Sequence, residues 1–316
     1  MTRRDVYAAI EAGGTKFVCG VAHSHDEILD TARIATGTPE ETIRQCLDFF
    51  RSKEKQFGPP RSFGIGSFGA LDPSIGSPRF GWITETPKAG WRYTDLAGPF
   101  AREFGVPVGF DTDVNAAALA EFRWGAGSSI AAGTSGATLV YFTVGTGIGG
   151  GAVVGGRLLH GLVHPEMGHL KTPRAPGDLE FSGVCAYHGD CLEGLACGPA
   201  IEERWGVPAE ELAPDHEAWN TESFYLAHAV VSVTALLSPH IVVLGGGVMS
   251  VEGLIERVRR EAESAMGGYF PPAWGSGHLN DYIVKPGLGE TPGLSGAIAL
   301  AIDAAQSTPS RERSYP

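Results

Sequence analysis

The sequence predicts an α/β protein of two similar lobes. Three observations carry that prediction: a length of 316 residues, two glycine-rich turns set between apolar strand-like runs, and strands that alternate with helices in both halves. A chain of this length buries a large core and exceeds the size at which single cores stop growing, so two domains are expected. The first turn lies in the run Tyr7 to Val21 and reads Glu11-Ala12-Gly13-Gly14-Thr15-Lys16; the second lies in 138–154 and reads Gly145-Thr146-Gly147-Ile148-Gly149-Gly150. Glycine lets backbone N–H groups come close to an anion, and Thr15 and Thr146 add hydroxyl donors, which suits a nucleotide's phosphates held between two related half-molecules.

In the first half the pattern continues with a third strand at 28–35 and a helix from Pro39 to about 56, where Pro39 and Glu40-Glu41 suit a helix start. A strand at 61–66, a short helix at 98–104, a strand at 106–110 and a helix at 114–124 follow. Segment 71–98 is rich in Pro, Gly and Trp, carries Trp82, Lys88, Trp91 and Arg92, and reads as an ordered loop fit for a substrate lid. The second half repeats the sense: strands at 138–144 and 152–154, a helix at 222–237, a strand at 241–244 and a helix at 254–265. The lobes divide as 1–115, with a helix at about 290–305 packing back on it, and 116–289; they are expected to face each other across a cleft, with 306–316 as a disordered tail.

Composition excludes several classes. A formal net charge of −12 with scattered Lys and Arg argues against nucleic acid. The longest apolar stretch, 226–237, contains His228 and is too short to span a bilayer. No secretory signal precedes the first strand, so a cytoplasmic protein is expected. Five cysteines, three of them within 185–197, suggest metal binding over disulfides in a reducing compartment.

The match to G-x-G-x-x-G at 145–150 raises a dinucleotide-binding reading. That fold needs its third glycine to open a helix, whereas Ala152-Val153-Val154 continues as a β-like run, so a hairpin is expected. Gly13-Gly14-Thr15-Lys16 lacks the earlier glycine of a P-loop. Plain hairpin turns are the bland alternative; the threonine in each turn argues for anion contact. A third glycine site, Gly245-Gly246-Gly247, ends a buried strand, where a ligand can sit.

Asp111-Thr112-Asp113-Val114-Asn115 follows a buried strand and opens a helix, so Asp113 is a helix cap, a base that deprotonates a hydroxyl for attack on a γ-phosphate, or both; Asp111 can also cap. His164-Pro165-Glu166-Met167-Gly168-His169 resembles a zinc-protease helix, but its histidines are five apart, about 140° around a helix, with Pro165 and Gly168 between them. Cys185, His188 and Cys191, spaced C-x₂-H-x₂-C, make with His169 a Cys₂His₂ set that closes a tetrahedral structural zinc site and holds Glu166 and Glu193 in place. Cys197 reads as a small buried residue.

Together these residues resemble the ROK family of sugar kinases, and within it the bacterial fructokinases, over about 6–302. The resemblance rests on Glu11 to Lys16, Gly66-Ser-Phe-Gly69, Asp72, Thr86 to Trp91, Asp111 to Asn115, His164 to His169, Cys185 to Glu193, and Gly245 to Gly247. It implies the duplicated actin-like ATPase (ribonuclease H-like) fold and ATP-dependent phosphorylation of a hexose, D-fructose at O6. Asp113 is implied as the base; Gly69, Thr112, Asp113, Glu166, His169 and Glu193 as sugar contacts; Gly13, Gly14, Thr15, Lys16, Thr146 and Gly147 as phosphate contacts; and Gly245, Gly246 and Gly247 as adenosine contacts. Mg²⁺ would bridge the phosphates, with Glu11 near it, and His169 would also ligate zinc. A homodimer is implied as well. Thr112, where ROK glucokinases usually have Asn, and His188, where they carry a third metal cysteine, point toward fructose; mannose, glucose or N-acetylmannosamine are the alternatives within the family. A ROK repressor or a non-catalytic sugar-binding protein is the alternative outside catalysis. The first needs an N-terminal DNA-binding region, for which a strand beginning by residue 6 leaves no room.

Overall fold

Both glycine-rich turns are hairpins. In the first, β1 (Tyr7–Ala12) pairs antiparallel with β2 (Lys16–Ser24), with Ala12 opposite Phe17. The Gly13 N–H donates to the Lys16 carbonyl at 3.0 Å, and a Cβ on Gly13 would stand 2.8 Å from that oxygen, so the turn closes tightly only on glycine. The computed structural model describes residues 4–269, 279–289 and 291–307. The chain divides into two units, Met1–Ala120 with His160–His164 and Glu290–Pro316, and Glu121–Leu159 with Pro165–Gly289.

In the first unit, β3 (Glu27–Ala35) extends the sheet antiparallel to β2, and α1 (Pro39–Phe57) begins where Thr38 Oγ1 accepts the Glu41 N–H at 3.4 Å. Helix α1 buries Ile43, Cys46 and Phe50 and ends at Gly58, whose φ of 94° suits glycine. Strand β4 (Ser62–Ser67), buried along its whole length, runs parallel to β1. The segment read as a loop carries a small antiparallel sheet, β5 (Leu71–Asp72), β6 (Trp82–Ile83) and β7 (Thr94–Asp95). Strands of two residues are too short to show alternation in a sequence. Trp91 in this segment is fully buried against Phe17 and Phe68, and its Nε1–H donates to the Gly37 carbonyl at 3.1 Å. Helix α2 (Gly98–Phe104), β8 (Val108–Thr112) and α3 (Asp113–Arg123) follow. The helix Pro292–Ser307 lies against β4 and β8 at glycines; a Cβ on Gly64 would sit 1.8 Å from the Ala297 carbonyl oxygen.

The second unit opens with α4 (Ser128–Gly133) and the hairpin β9 (Leu139–Val144) and β10 (Ile148–Val154). Strand β10 starts earlier than expected because Gly149 to Gly151 are ladder residues opposite Thr143 to Tyr141. No helix follows the third glycine, which removes the dinucleotide-binding alternative. Next come β11 (Arg157–Leu158), a 3₁₀ turn Met167–His169, α5 (Leu192–Ala196), α6 (Gly198–Trp205) and α7 (Ala218–Leu237). The unit closes with β12 (Ile241–Gly245), α8 (Leu254–Met266), α9 (Leu279–Tyr282) and β13 (Ile283–Val284), and the helix Pro292–Ser307 is α10. Sheet orders are β3-β2-β1-β4-β8 and β11-β10-β9-β12-β13, with the same parallel and antiparallel senses at each equivalent step. One topology is therefore used twice. The apolar stretch 226–237 is the C-terminal part of α7, and no helix among the described residues is long and apolar enough to cross a membrane. The expected disordered tail lies outside the described residues from 308 on.

Two buried carboxylates behave differently in the second unit. Glu121 accepts the N–H groups of Ala126 and Gly287 at 2.8 Å each and of Leu288 at 3.0 Å, tying α3 to the loop after β13. Glu222 on α7 is 1% exposed and neither oxygen accepts a hydrogen bond from the described residues. Burial raises its pKa well above the ordinary value, with Arg204 pulling the other way. The folded state thus holds a proton that the unfolded chain releases, and stability falls as pH rises from the ordinary carboxyl range toward the raised value. Replacing Glu222 with Leu is expected to flatten this slope and to stabilise the protein by on the order of 2 kcal/mol at pH 8. Melting curves from pH 5 to 8 check it; parallel slopes for the two proteins would count against a buried neutral Glu222.

Candidate active site and metal centre

In the first unit, the candidate site residues lie where β8 turns into α3. Thr112, 4% exposed, caps the helix: its Oγ1 accepts the Asn115 N–H at 3.1 Å, which leaves its hydroxyl hydrogen as the group it can still donate. Asp111 is not the cap. Its Oδ1 accepts the Thr112 N–H and the Asn115 Nδ2–H, both at 2.8 Å. Asp113 is the first residue of α3, and its Oδ1 accepts the Val114 N–H at 2.9 Å. Burial lifts the Asp113 carboxyl above its ordinary pKa, and the backbone donors oppose that lift. Glu11, at the end of β1, is also raised, first by burial and then by the negative charge of Asp113, against Lys16 and Arg33. A Cβ on Gly293 would stand 2.3 Å from Glu11 Cδ, so the start of α10 leaves room for that carboxyl only as glycine. Gly14, Thr15 and Lys16 are exposed, Gly13 is half-buried beside them, and Gly69 is half-buried after β4.

In the second unit, the candidate site residues gather around the 3₁₀ turn Met167–His169. Gly168 packs on the start of β10, where a Cβ would lie 1.7 Å from the Ile148 carbonyl oxygen. Glu166 is exposed beside it. Glu193, in the first turn of α5, reaches the second glycine hairpin: its Oε2 accepts the Ile148 N–H at 3.1 Å, and Gly147 leaves the space, since a Cβ there would be 2.7 Å from Oε2. The hairpin turn itself is held by the Gly145 N–H on the Gly147 carbonyl at 2.9 Å and by the Gly198 N–H on the Gly145 carbonyl at 2.7 Å, with Thr146 exposed at its tip. Gly245 is buried at the end of β12, and Gly246 and Gly247 are exposed. Gly246 has φ of 93°, and a Cβ there would meet the Val144 oxygen at 2.3 Å.

His169, Cys185, His188 and Cys191 come together, with their ligand atoms within 4.8 Å of one another. His169 Nδ1 is 3.4 Å from Cys191 Sγ and 3.8 Å from Cys185 Sγ, and Cys185 Sγ is 3.7 Å from His188 Nδ1. A tetrahedral zinc holds sulfur and nitrogen ligands about 3.6 Å apart, so the quartet fits that ion. The loop is shaped for it by mutual backbone hydrogen bonds between Cys185 and Gly189, at 3.2 and 2.9 Å. Burial pushes the Cys191 thiol up to about 11, the situation a divalent cation reverses by supplying positive charge. Cys197 is buried and stands outside the quartet.

The sequence profile of the ROK family matches residues 7–304. The chain belongs to the ROK family. A fructokinase of Zymomonas mobilis is 46% identical over 304 residues, covering 95% of this chain and 98% of that one. A fructokinase of Streptococcus mutans is 38% identical over 299 residues, covering 94% and 97%. Among solved structures, the ROK hexokinase of Thermus thermophilus matches with a TM-score of 0.77 and 28% identity over 96% of this chain and all of its own, 100%. The fold is the duplicated actin-like ATPase architecture of ROK sugar kinases, as the twin sheets indicate.

Within this ROK chain the structure adds contacts that the sequence did not announce. Glu193 braces the second hairpin, Gly168 docks the 3₁₀ turn on β10, and His160 pairs with Asp111 at 2.7 Å. Gly168 was legible only as a break in a helix pattern, because a close approach of two backbones leaves no mark on either sequence. Changing Gly168 to Ala is expected to cost roughly 3 kcal/mol, since the clash is with backbone that cannot rotate away. It is also expected to raise the KM for sugar through Glu166 and His169, the nearby residues that the family resemblance implies as sugar contacts. Denaturation and steady-state kinetics test both effects; a variant with wild-type midpoint and KM would show that the turn has slack.

Proposed function

We propose that the protein is an ATP-dependent fructokinase that transfers the γ-phosphoryl group of ATP to O6 of D-fructose. The observation that carries the reading is the half-buried Asp113 carboxylate on the first turn of α3, in a chain 46% identical to a fructokinase across nearly its whole length. In the reaction, Asp113 accepts the O6 proton as the oxygen forms a bond to the γ-phosphorus; the bond from that phosphorus to the bridging oxygen breaks, and ADP leaves. The base works as the carboxylate, and burial makes that form a stronger proton acceptor. Gly69, Thr112, Glu166, His169 and Glu193 are assigned to the sugar hydroxyls. Gly13 to Lys16, Thr146 and Gly147 are assigned to the phosphates, where N–H groups, hydroxyls and one ammonium offset negative charge, and Gly245 to Gly247 to the adenosine.

Mg²⁺ fits the first-unit carboxylates on electrostatic grounds, because the charge of Asp113 disfavours ionisation of Glu11 and a divalent cation relieves that. When bound it neutralises charge on the transferred group. Zinc is assigned a structural role on the His169, Cys185, His188 and Cys191 quartet. The enzyme is read as a cytoplasmic homodimer. ADP release measured with Mg²⁺-ATP across fructose, mannose, glucose and N-acetylmannosamine tests the function: preference for fructose is expected, another preferred sugar would move the substrate, and silence on all four would favour binding without catalysis.

A further inference from the structure

We propose that His160 is a positioning residue for Asp113, holding through Asp111 the turn from which the base projects. The proposal rests on the base role given to Asp113 above. Asp111 is 3% exposed and its two oxygens face different parts of the chain. Oδ1 takes two donors from the 112–115 turn, whereas Oδ2 lies 2.7 Å from Nε2 of His160, 49 residues further along. Removing the imidazole would leave one face of a buried carboxylate without its partner, and the carboxylate would have to move to find water. That movement would be transmitted to the Thr112 N–H and the Asn115 amide, and so to the residue between them.

The local chain path supports a positioning role. Residues 160–164 belong to the first unit while the residues on both sides belong to the second. Two histidines fasten this short segment: His160 on Asp111, and His164, whose Nε2 accepts the Leu71 N–H at 3.1 Å and so carries any single proton on Nδ1. The segment is followed in sequence by Glu166 and His169, assigned above to the sugar. No part of His160 need touch substrate for a positioning role.

The contact is sensitive to protonation. Asp111 is the charged group bearing on His160, and its hydrogen bond raises the imidazole pKa above the ordinary value, against burial. The imidazole is 37% exposed, so solvent protons reach it. The charge-assisted bond is at full strength below the ordinary histidine value and is lost to a weaker neutral one as pH rises through the raised value. Asp113 and Glu11 act on the acid side, and His164, the other imidazole of the segment, bears on Asp113 rather than on His160.

The test compares wild type, His160→Gln and His160→Leu in kcat, KM and pH profile with Mg²⁺-ATP and fructose, after melting curves establish that each is folded. Leucine is expected to lower kcat on the order of ten- to hundredfold, the scale of a small misplacement of a reacting group, with KM for ATP within about twofold. Glutamine, which keeps an N–H donor for Asp111, is expected to recover most of the loss and to lack the alkaline decline of kcat expected of wild type. A leucine variant with kcat within about twofold of wild type, or an alkaline decline that persists in the glutamine variant, would overturn the positioning role and leave the fructokinase reading standing. An inactive wild type would overturn both.

Discussion

Asp113→Asn is expected to lower kcat on the order of a thousandfold, within the range that a positioned general base supplies, while leaving the fold intact. The substitution is nearly isosteric, and the amide oxygen can still accept the Val114 N–H that Asp113 Oδ1 accepts at 2.9 Å. The helix start therefore survives, since its cap is Thr112 and not the base. Stability is not expected to fall either. The raised pKa means that the folded state holds the Asp113 proton more tightly than the unfolded chain does, so the ionised carboxylate lowers stability at neutral pH and an amide removes that effect. KM for fructose and for ATP should change by a few-fold at most, because the lost interaction is made in the transition state.

The same shift sets the acid limb of the wild-type profile. In the base role proposed for Asp113, activity needs the ionised form, so kcat/KM should rise with pH through a value above the ordinary aspartate range, displaced by burial. The asparagine variant's residual activity should lack that limb. A variant that keeps more than about a tenth of wild-type kcat, well outside the loss expected for a base, would remove Asp113 from the role.

Much of the fold was legible because it is carried by periodic signals. The glycine turns between apolar runs gave both hairpins, and the strand-helix alternation gave an α/β architecture that the two matching sheets bear out. What escaped was short or non-periodic: the two-residue strands β5 to β7, the five-residue α5, and the glycine ladder residues that make β10 begin at Ile148. At the site, side-chain chemistry at fixed spacing was readable, as with Cys185, His188 and Cys191, because a chelating loop needs its ligands close in sequence. Partnerships made across long separations were not. Nothing near His160 marks it as the partner of Asp111, and nothing in Glu193 announces that it accepts the Ile148 N–H. Asp111 and Thr112 show a finer limit. Both residue types cap helices, and only the geometry decides that Thr112 does so while Asp111 turns to Asn115 and His160.

Cys185→Ser should strip zinc from the protein and lower its melting temperature together. The quartet's spacing fits a tetrahedral ion, and apart from local backbone hydrogen bonds the outer part of the loop is held at the surface: Cys185 is half-buried, His188 is exposed, and Lys171 with Asp190 forms a surface ion pair of small worth. Metal that binds only the folded state stabilises it by roughly 4 kcal/mol when present at about a thousandfold over its dissociation constant. For a unit of this size that is roughly 8–16 °C in melting temperature. The loss should not stay local. Cys191 is the residue from which α5 starts, Glu193 lies in that helix's first turn, and its carboxylate accepts the Ile148 N–H of the second glycine hairpin. His169 closes the 3₁₀ turn whose Gly168 docks on the same strand. Releasing the ion thus loosens two supports of one hairpin, and KM for ATP is expected to rise along with KM for sugar. Elemental analysis of the purified protein, melting curves with and without a chelator, and the two KM values measure the three effects separately. Unchanged metal content in the serine variant would sink the zinc assignment; lost metal with an unchanged KM for ATP would confine the ion to stability and cut the link through Glu193.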